Sequence, residues 1–269
     1  MKNSQEFAAL IRSEALKMVT RAKASHIGGA LSMADLLAVL YTGILRVNPL
    51  EPQWPERDRL ILSKGHSCTS LYATLALRGF FPIKELETYA CDGSRLMSHI
   101  THKVPGVEFS TGSLGHGLPF GCGKALAAKR QGKDRRVFVI LSDGELDEGS
   151  NWEAILFAPH HRLDNLVALV DYNKIQSLGA VDEVLDLAPL ADKFRAFGWG
   201  VREIDGHNHQ EIRETLQSLP SEKGKPTCLI AHTIKGKGVD FMENQLLWHY
   251  RNPNDEQLQS ALSQLASLS

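Results

Sequence analysis

Two apolar, β-branched runs that each end in polar residues constrain the fold of this chain most strongly. The run VFVIL at residues 137–141 leads into Asp143, the run LVALV at residues 166–170 leads into Asn173, and a helical pattern separates them. This pattern predicts a βαβ unit whose two parallel strands end at the same edge of a sheet. We therefore expect Asp143 and Asn173 to face each other across one crevice. A carboxylate and an amide oxygen are hard ligands, suited to Mg²⁺ or Ca²⁺ carrying a phosphate group.

Each of these two residues also has an ordinary interpretation. Asp143 alone is typical of a cap at the end of a strand, and Asn173 alone is typical of a turn. The pair, about thirty residues apart at corresponding strand tips, favours a site for a metal ion and a phosphate. Gly144 supports this interpretation, because a residue without Cβ lets backbone N–H groups approach a phosphate.

The alternation of strand and helix patterns continues along the chain. Further strand patterns lie at residues 58–63, 199–204 and 227–233, and helical patterns lie at residues 4–19, 33–41, 71–77, 188–197 and 257–268. We predict an α/β fold, with a doubly wound, mostly parallel sheet and helices on both faces. Because no composition shift marks an internal boundary, residues 1–269 are expected to form one domain, in which about the first 40 residues and the C-terminal tail form peripheral N- and C-terminal helices. Ser4 is the predicted cap of the first helix.

The composition excludes several classes of protein. A formal net charge of −1 gives no bulk attraction to nucleic acid or to an anionic membrane. The four cysteines lack CxxC spacing, which argues against a zinc cage or a disulfide framework. The polar N-terminus lacks an apolar signal core, and no uncharged apolar run reaches the length of about 18 residues that a membrane span needs. We therefore expect a cytoplasmic protein with reduced thiols and without nucleic-acid or membrane partners.

Several histidines lie in loops that contain glycine or serine. His26, His66 and His99 are in such loops, and the long loop at residues 89–123 is apolar enough to be ordered and functional. A solvated or core histidine is the ordinary interpretation of each one taken alone. Residues 99–102 form an HxxH pattern without a flanking glutamate, which is a poor zinc signature.

Other patterns are less informative. The glycine-rich run at residues 115–121 follows no strand and has the wrong spacing for a dinucleotide fingerprint. We interpret His207 and His209 as surface residues. Lys235 follows the last predicted strand, where its ammonium group either contacts an anion or is solvated.

Taken together, these segments resemble the transketolase family. Asp143-Gly144 followed by Asn173 resembles the thiamine-diphosphate fingerprint, and family-like segments follow in the family's order between residues 14 and 252. They are three histidine loops at residues 24–29, 62–66 and 95–108, the segment STGSLGHG at residues 110–117, and the late pair Trp248-His249. The chain departs from the family pattern at four positions, which are Ser142, Tyr172, Ser113 and His116.

The resemblance implies a thiamine-diphosphate-binding fold and a set of site residues. Asp143, Asn173 and the carbonyl of Ile175 would hold Mg²⁺, for which Ca²⁺ or Mn²⁺ can substitute, and the metal would hold the diphosphate. Cofactor contacts are also implied for His66, Gly112, Ser113, Leu114, Gly144, Lys235 and His249. Glu148 matches a family glutamate that links paired active sites through the partner subunit. The implied catalytic proton carriers are His26, His66, His99 and His249, with His99 at the oxygen of the donor sugar.

The resemblance also implies an activity. A transketolase is a transferase of carbohydrate metabolism that moves a two-carbon ketol unit from a ketose or ketose phosphate to an aldose or aldose phosphate. The similarity covers only the first of the family's three regions, which implies the N-terminal subunit of a split enzyme. A C-terminal subunit with the pyrimidine-binding domain is the expected partner, in a heterotetramer.

Two alternatives remain, and the sugars are left open. The first alternative is the α subunit of a 2-oxo acid dehydrogenase-type decarboxylase, against which the set of four histidines argues. The second is a nonenzymatic binding or regulatory subunit, against which the intact Asp143 and Asn173 pair argues.

Overall fold

The structure, a computed structural model, describes residues 3–267 and has a sheet of five parallel strands at its centre. The strands lie side by side in the order β1-β2-β3-β5-β4. Their bounds are β1 Arg59–Leu62, β2 Val137–Ser142, β3 Leu166–Tyr172, β4 Gly200–Asp205 and β5 Thr227–His232. Every residue of β2 is buried, as expected for a strand in a parallel sheet that is covered on both faces.

Helices connect the strands and cover the sheet. Within residues 3–267 the α-helices are α1 Ser4–Ala22, α2 Ile27–Ser32, α3 Ala34–Val39, α4 Cys68–Leu77, α5 Gly117–Arg130, α6 Gly149–His160, α7 Val181–Val184, α8 Leu190–Ala196, α9 His209–Gln217 and α10 Asp255–Ala266. Short 3₁₀ helices lie at Gly65–Ser67, Ile83–Thr88, Gly144–Asp147 and Leu246–His249, and a π-helical turn follows α3 at Leu40–Ile44. Several of these short elements lie beside the carboxyl ends of strands, where the site is formed.

Successive apolar residues of β1, β2, β3 and β5 point into two different cores, one on either face of the sheet. Phe138 and Ile140 of β2 pack in the core that includes residues of α1, α3 and α4. Val139 and Leu141, the alternate residues, pack with α5, α6 and α8. Side chains of a strand alternate between the two faces of the sheet, so strands that are apolar throughout need helices packed on both faces. The prediction of a doubly wound α/β fold with a parallel sheet is confirmed.

Three local predictions need correction. Every residue of α3 is buried, so this helix is part of the core rather than peripheral. The loop predicted for residues 89–123 ends at His116, because α5 begins at Gly117. Asn3 caps α1 instead of Ser4, since its Oδ1 accepts from the backbone N–H of Glu6 at 2.8 Å. The predicted closing helix corresponds to α10, and residue 268 lies outside the described residues.

The register of the sheet brings the predicted site residues to one edge. Ser142 of β2 is aligned with Asp171 of β3, so Asp143 and Asn173 follow neighbouring parallel strands at their carboxyl ends. This is the crevice that the two apolar runs predict. Within residues 3–267, no helix is both long and apolar enough to cross a membrane.

Candidate active site

One pocket at the carboxyl edge of the sheet is lined by most of the residues singled out from the sequence. The lining includes the four histidines proposed as proton carriers, the two residues that follow β2 and β3, and Lys235. The residues already predicted are His26, His66, His99, Gly112, Leu114, Asp143, Gly144, Asn173, Ile175, Lys235 and His249. Ser113 and Glu148 are exposed and lie outside this lining. The pocket therefore unites residues that are more than two hundred positions apart in the chain, from His26 to His249.

Asp143 is a buried carboxylate that is held by backbone N–H groups. Its Oδ1 accepts from the N–H of Gly144 at 2.8 Å, and its Oδ2 accepts from the N–H of Lys174 at 2.6 Å. Burial, reinforced by the nearby charge of Asp171, raises the pKa of Asp143 to about 6. An anion that is buried without a cation of its own is costly, so a bound cation would stabilise it.

Asn173 and Ile175 extend this oxygen-rich wall of the pocket. The Oδ1 atom of Asn173 accepts from the N–H of Ile175 at 3.2 Å, which orients the amide. The Nζ atom of Lys235 donates to the carbonyl of Ile175 at 2.8 Å. Within residues 3–267, no group of three or more His, Cys, Asp or Glu side chains is arranged to hold a metal ion. A cation here would therefore depend on one carboxylate, amide and carbonyl oxygens, and oxygens of a ligand.

A buried ion pair between Lys64, which lines the pocket, and Asp171 was not visible in the sequence. The Nζ atom of Lys64 donates to Oδ2 of Asp171 and, at 3.0 Å, to the carbonyl of Gly29. Ser32 and Thr233 also donate to the Asp171 carboxylate, and Lys64 is the strongest influence that keeps the pKa of Asp171 below its usual range despite burial. Both charged side chains are almost completely inaccessible to solvent. In the sequence, Asp171 is only the residue that follows an apolar run. Its partner, Lys64, is more than a hundred residues away, so no local pattern connects the two.

Glu145 is a second buried acid that sequence reasoning missed. Its carboxylate accepts from the hydroxyl of Ser63 and from the N–H of Gly115 at 2.9 Å. Burial raises the pKa of Glu145. Gly115 has a φ of +83°, and a Cβ there would collide with the side chain of Ser150. These contacts hold the loop that places Gly112 and Leu114 in the pocket lining. A glutamate two residues after Asp143 was the signal in the sequence that could have pointed to it.

The four histidines form one cluster around His26. The centroid of the His26 ring lies 5.3 Å from that of His66, 5.8 Å from that of His99 and 5.1 Å from that of His249. His26 has a φ of +73°, and its backbone N–H donates to the carbonyl of His249 at 2.9 Å. The Oγ atom of Ser25 is 3.0 Å from Nδ1 of His26. The loops of His26 and His99 and the 3₁₀ helices at Gly65–Ser67 and Leu246–His249 thus converge on one set of imidazoles.

The electrostatic environment keeps imidazoles of this cluster neutral near pH 7. Burial, with the charges of His99 and Lys235, lowers the pKa of His26 to about 4. Burial and Lys235 lower the pKa of His249 to about 3, and burial and Lys64 lower the pKa of His66 well below its usual value. A neutral imidazole has one donor and one acceptor nitrogen. Such rings can give a proton to one oxygen and take a proton from another.

Lys235 is a buried cation, and none of the carboxylates in residues 3–267 is in contact with it. Its Nζ atom lies 3.1 Å from Nδ1 of His249, besides its bond to the carbonyl of Ile175. Burial, with repulsion from Lys64, lowers the pKa of Lys235 to about 8. Its buried position in the pocket lining, beside Ile175 and His249, favours the anion-binding interpretation over a solvated lysine.

His207 and His209 are not surface residues, and our interpretation of them was wrong. Their side chains are only 15% and 10% exposed, and both contact the carboxylate of Asp35. The Asp35 carboxylate also pairs with Arg12. Local sequence patterns cannot reveal these contacts, because Asp35 and the two histidines are far apart in the chain.

The neutral histidine cluster predicts a specific dependence of stability on pH. The unfolded chain, in which histidine has a pKa of about 6.5, takes up more protons than the folded chain between that pH and about 4. Stability therefore falls as the pH drops through this window. In urea titrations of the cofactor-free chain, we expect the wild type to lose more unfolding free energy between pH 7 and pH 5 than the double variant His26→Gln/His249→Gln. Equal losses in both proteins would contradict a neutral cluster.

The sequence of this chain is similar to a known protein family and to several characterised proteins. Residues 3–265 match the family model described as "Transketolase, thiamine diphosphate binding domain". The chain is 43% identical over 262 residues to 6-deoxy-6-sulfo-D-fructose transketolase subunit SqwG of Clostridium sp. (strain MSTE9), covering 97% of this chain and 95% of that protein. It is 42% identical to one of the subunits of the apulose-4-phosphate transketolase of Phocaeicola vulgatus, covering 95% of this chain and 91% of the relative.

A solved structure agrees with these sequence relatives. The fold superposes on the transketolase of Campylobacter jejuni with a TM-score of 0.93 and 32% identity, over 99% of this chain and 43% of that one. The chain thus spans less than half the length of this solved relative, but nearly the whole length of the two subunits.

Proposed function

The chain belongs to the transketolase family, and we propose that it is the N-terminal subunit of a two-chain transketolase. The proposed reaction transfers a two-carbon ketol unit from a ketose or ketose phosphate to an aldose or aldose phosphate. The observation that carries this proposal is a cluster of four histidine rings that lines the same pocket as Asp143 and Asn173. The centroids of the other three rings lie 5.1–5.8 Å from that of His26.

The pocket residues fit thiamine diphosphate, which supplies an electron sink for breaking and making a carbon–carbon bond. Gly144 packs so closely that a Cβ would lie 2.9 Å from Cγ of Gln176, so bare backbone faces the pocket there. Gln176 also lines the pocket, and its side chain interacts with the carboxyl of Asp147. An amide NH₂ group has two donors, so the second can serve a ligand oxygen. Gly112 and Leu114 line the remaining space available to the organic part of the cofactor.

The same pocket fits a divalent cation. Mg²⁺ takes oxygen ligands and is bound by few protein groups together with phosphate oxygens, and Ca²⁺ or Mn²⁺ accepts similar ligands. We propose Asp143, Asn173 and the carbonyl of Ile175 as the protein ligands. Lys235 donates to that carbonyl in the structure, so it would have to leave this oxygen to the cation. Its ammonium group can then donate to the diphosphate.

The histidines are proposed to move protons on the oxygen atoms of the sugars. Each half of the reaction converts a hydroxyl to a carbonyl or the reverse, which requires one group to take a proton and another to give one. A neutral imidazole serves in either direction, and such general acid–base catalysis contributes about 10²–10⁴-fold in rate. We propose His26, His66, His99 and His249 for this work, with His99 at the oxygen of the donor sugar.

A partner subunit is proposed to complete the enzyme. The relatives that match this chain over nearly their whole lengths are named as subunits, which supports a two-chain arrangement. We propose a C-terminal subunit with a pyrimidine-binding domain, assembled with this chain as a heterotetramer in the cytoplasm. Residues 1–269 would form one domain of that assembly. Ser113 is proposed to contact the cofactor, and the exposed Glu148 is proposed to connect paired active sites across the subunit interface.

A ketol-transfer assay tests the proposal. The chain is purified alone and together with a pyrimidine-domain subunit from the same genome, and product formation is followed with thiamine diphosphate, Mg²⁺ and ketose donors. The relatives' names mention 6-deoxy-6-sulfo-D-fructose and apulose 4-phosphate, so both classes of anionic ketose belong in the panel. We expect transfer only with both chains present. Turnover of 2-oxo acids instead of ketoses, or full turnover by this chain alone, would overturn the proposal.

A further inference from the structure

Asp35 organises a buried polar cluster next to, but outside, the candidate active site. Its carboxylate accepts from Arg12, from Nδ1 of His207 at 2.6 Å and from Nε2 of His209 at 2.9 Å. Although burial opposes ionisation, Arg12 and the two histidines hold the pKa of Asp35 well below its usual range. Because an ionised carboxylate has no proton to donate, Nδ1 of His207 must be the donor in this contact.

The opposite nitrogen of His207 contacts a different element. With Nδ1 protonated, Nε2 of the neutral ring is an acceptor, and the backbone N–H of Ile234 donates to it at 2.9 Å. The loop of His207 is pressed against this segment, because the N–H of Gly206 donates to the carbonyl of His232 at 2.9 Å and a Cβ on Gly206 would collide with Thr233. The peptide group that His207 holds lies one residue before Lys235.

We propose that His207 is a positioning residue for Lys235, an inference that rests on the proposed function, in which Lys235 binds the cofactor. His207 is outside the pocket lining, so it acts through the backbone of Ile234 and not by contact with a ligand. Ile234 lies between Thr233, which donates to Asp171, and Lys235, whose Nζ reaches Ile175 and His249. Fixing this peptide sets the direction from which the lysine side chain enters the pocket.

His209 provides a matched control. It contacts the same Asp35 carboxylate and is similarly buried, but its other ring nitrogen, Nδ1, contacts Ser4 at 2.8 Å at the start of α1. His207→Ala and His209→Ala therefore disturb the same cluster, and only the first removes the acceptor for Ile234. A purely structural role for His207 predicts equal consequences of the two substitutions.

Hydrogen exchange of the cofactor-free chain gives the first readout. In peptides covering residues 233–238, we expect exchange to be at least about tenfold faster in His207→Ala than in the wild type, since the N–H of Ile234 loses its partner. His209→Ala should stay within about twofold of the wild type by the same argument. Should the alanine variants not fold, His207→Gln and His209→Gln replace them, with smaller changes in the same order.

Cofactor affinity gives the second readout. Thiamine diphosphate is titrated calorimetrically, with Mg²⁺, into the two-chain enzyme that carries each variant. We expect a dissociation constant about tenfold higher for His207→Ala, which corresponds to one lost hydrogen bond, and within about twofold for His209→Ala. Equal effects of both substitutions, or unchanged exchange and affinity in His207→Ala, refute the positioning role. If the wild type binds no thiamine diphosphate, the proposed function is wrong, and the exchange measurement still decides whether His207 holds the segment.

Discussion

Replacement of Asp143 by asparagine is expected to weaken Mg²⁺-dependent binding of thiamine diphosphate by at least about 100-fold. Asp143 is the carboxylate of the proposed metal site, and losing even an outer partner of a metal ligand costs about 10–100-fold in affinity. Asparagine has nearly the same shape, so it removes the charge with little change in volume, and its NH₂ group replaces one of the two oxygens that accept from the backbone N–H groups of Gly144 and Lys174. Calorimetric titration of the two-chain enzyme measures the effect.

The matched control for this substitution lies at the opposite edge of the sheet, before the neighbouring parallel strand β3. Asp164 precedes β3 and pairs with Lys129 on the surface, remote from the pocket. Asp164→Asn should leave the dissociation constant within about twofold, because a surface ion pair contributes little. A comparable loss in both variants would mean that the proposed metal site is not at Asp143.

The same substitution tests the buried charge itself. The pKa of Asp143 is raised to about 6 in the folded chain, above the usual value near 4. Between about pH 4 and pH 6 the folded state therefore binds more protons than the unfolded state. Asp143 stabilises the folded state at lower pH, and this contribution is lost as the pH rises through about 6. Without metal, the stability of the wild type relative to Asp143→Asn should fall by up to about 3 kcal/mol from pH 4 to pH 7. Urea titrations in EDTA at the two pH values measure the free energy of unfolding of both proteins. If the difference between the wild type and Asp143→Asn is the same at both pH values, the proposed effect of the buried charge is contradicted.

Substitution of His99 by alanine has the second large expected effect. The ring of His99 lies 5.8 Å from that of His26, and its Cδ2 would be 3.2 Å from a Cβ on Gly112, so it packs directly on the pocket wall. We expect kcat/KM for ketol transfer to fall by about 10²–10⁴-fold, the usual contribution of one proton-transfer group. The affinity for thiamine diphosphate should change little, because the proposed partner of His99 is the sugar.

His102 lies in the same loop and serves as the control for His99. Its side chain is exposed, and its Nδ1 contacts Oγ of Ser110 at 2.7 Å. His102→Ala should change kcat/KM by less than about twofold, as expected for a surface side chain. Steady-state kinetics of the two-chain enzyme compare the variants. A loss below about tenfold in His99→Ala would remove this residue from the proposed proton carriers.

The fold could be predicted from the sequence because its signals are local. The apolar runs of β2 and β3, the helical pattern between them and their polar ends specify a parallel sheet covered on both faces. The pairing of Asp143 with Asn173 follows from that architecture alone, since neighbouring parallel strands end at one edge. Boundaries were less accurate: Asn3 instead of Ser4 caps α1, because both residue types are good caps and only the backbone conformation distinguishes them.

The tertiary structure alone decided which distant groups meet. Lys64 with Asp171, Ser63 with Glu145, and Asp35 with His207 are separated by 82 to 172 residues. Periodicity records which face of an element is apolar, and it carries no information about which buried polar groups pair across elements. The histidine candidates were visible as loop residues, whereas their convergence on His26 and the lowered pKa values of His26, His66 and His249 arise from packing and burial. The sequence thus determined the sheet and the residues at its edge, and three-dimensional packing determined their partners and charges.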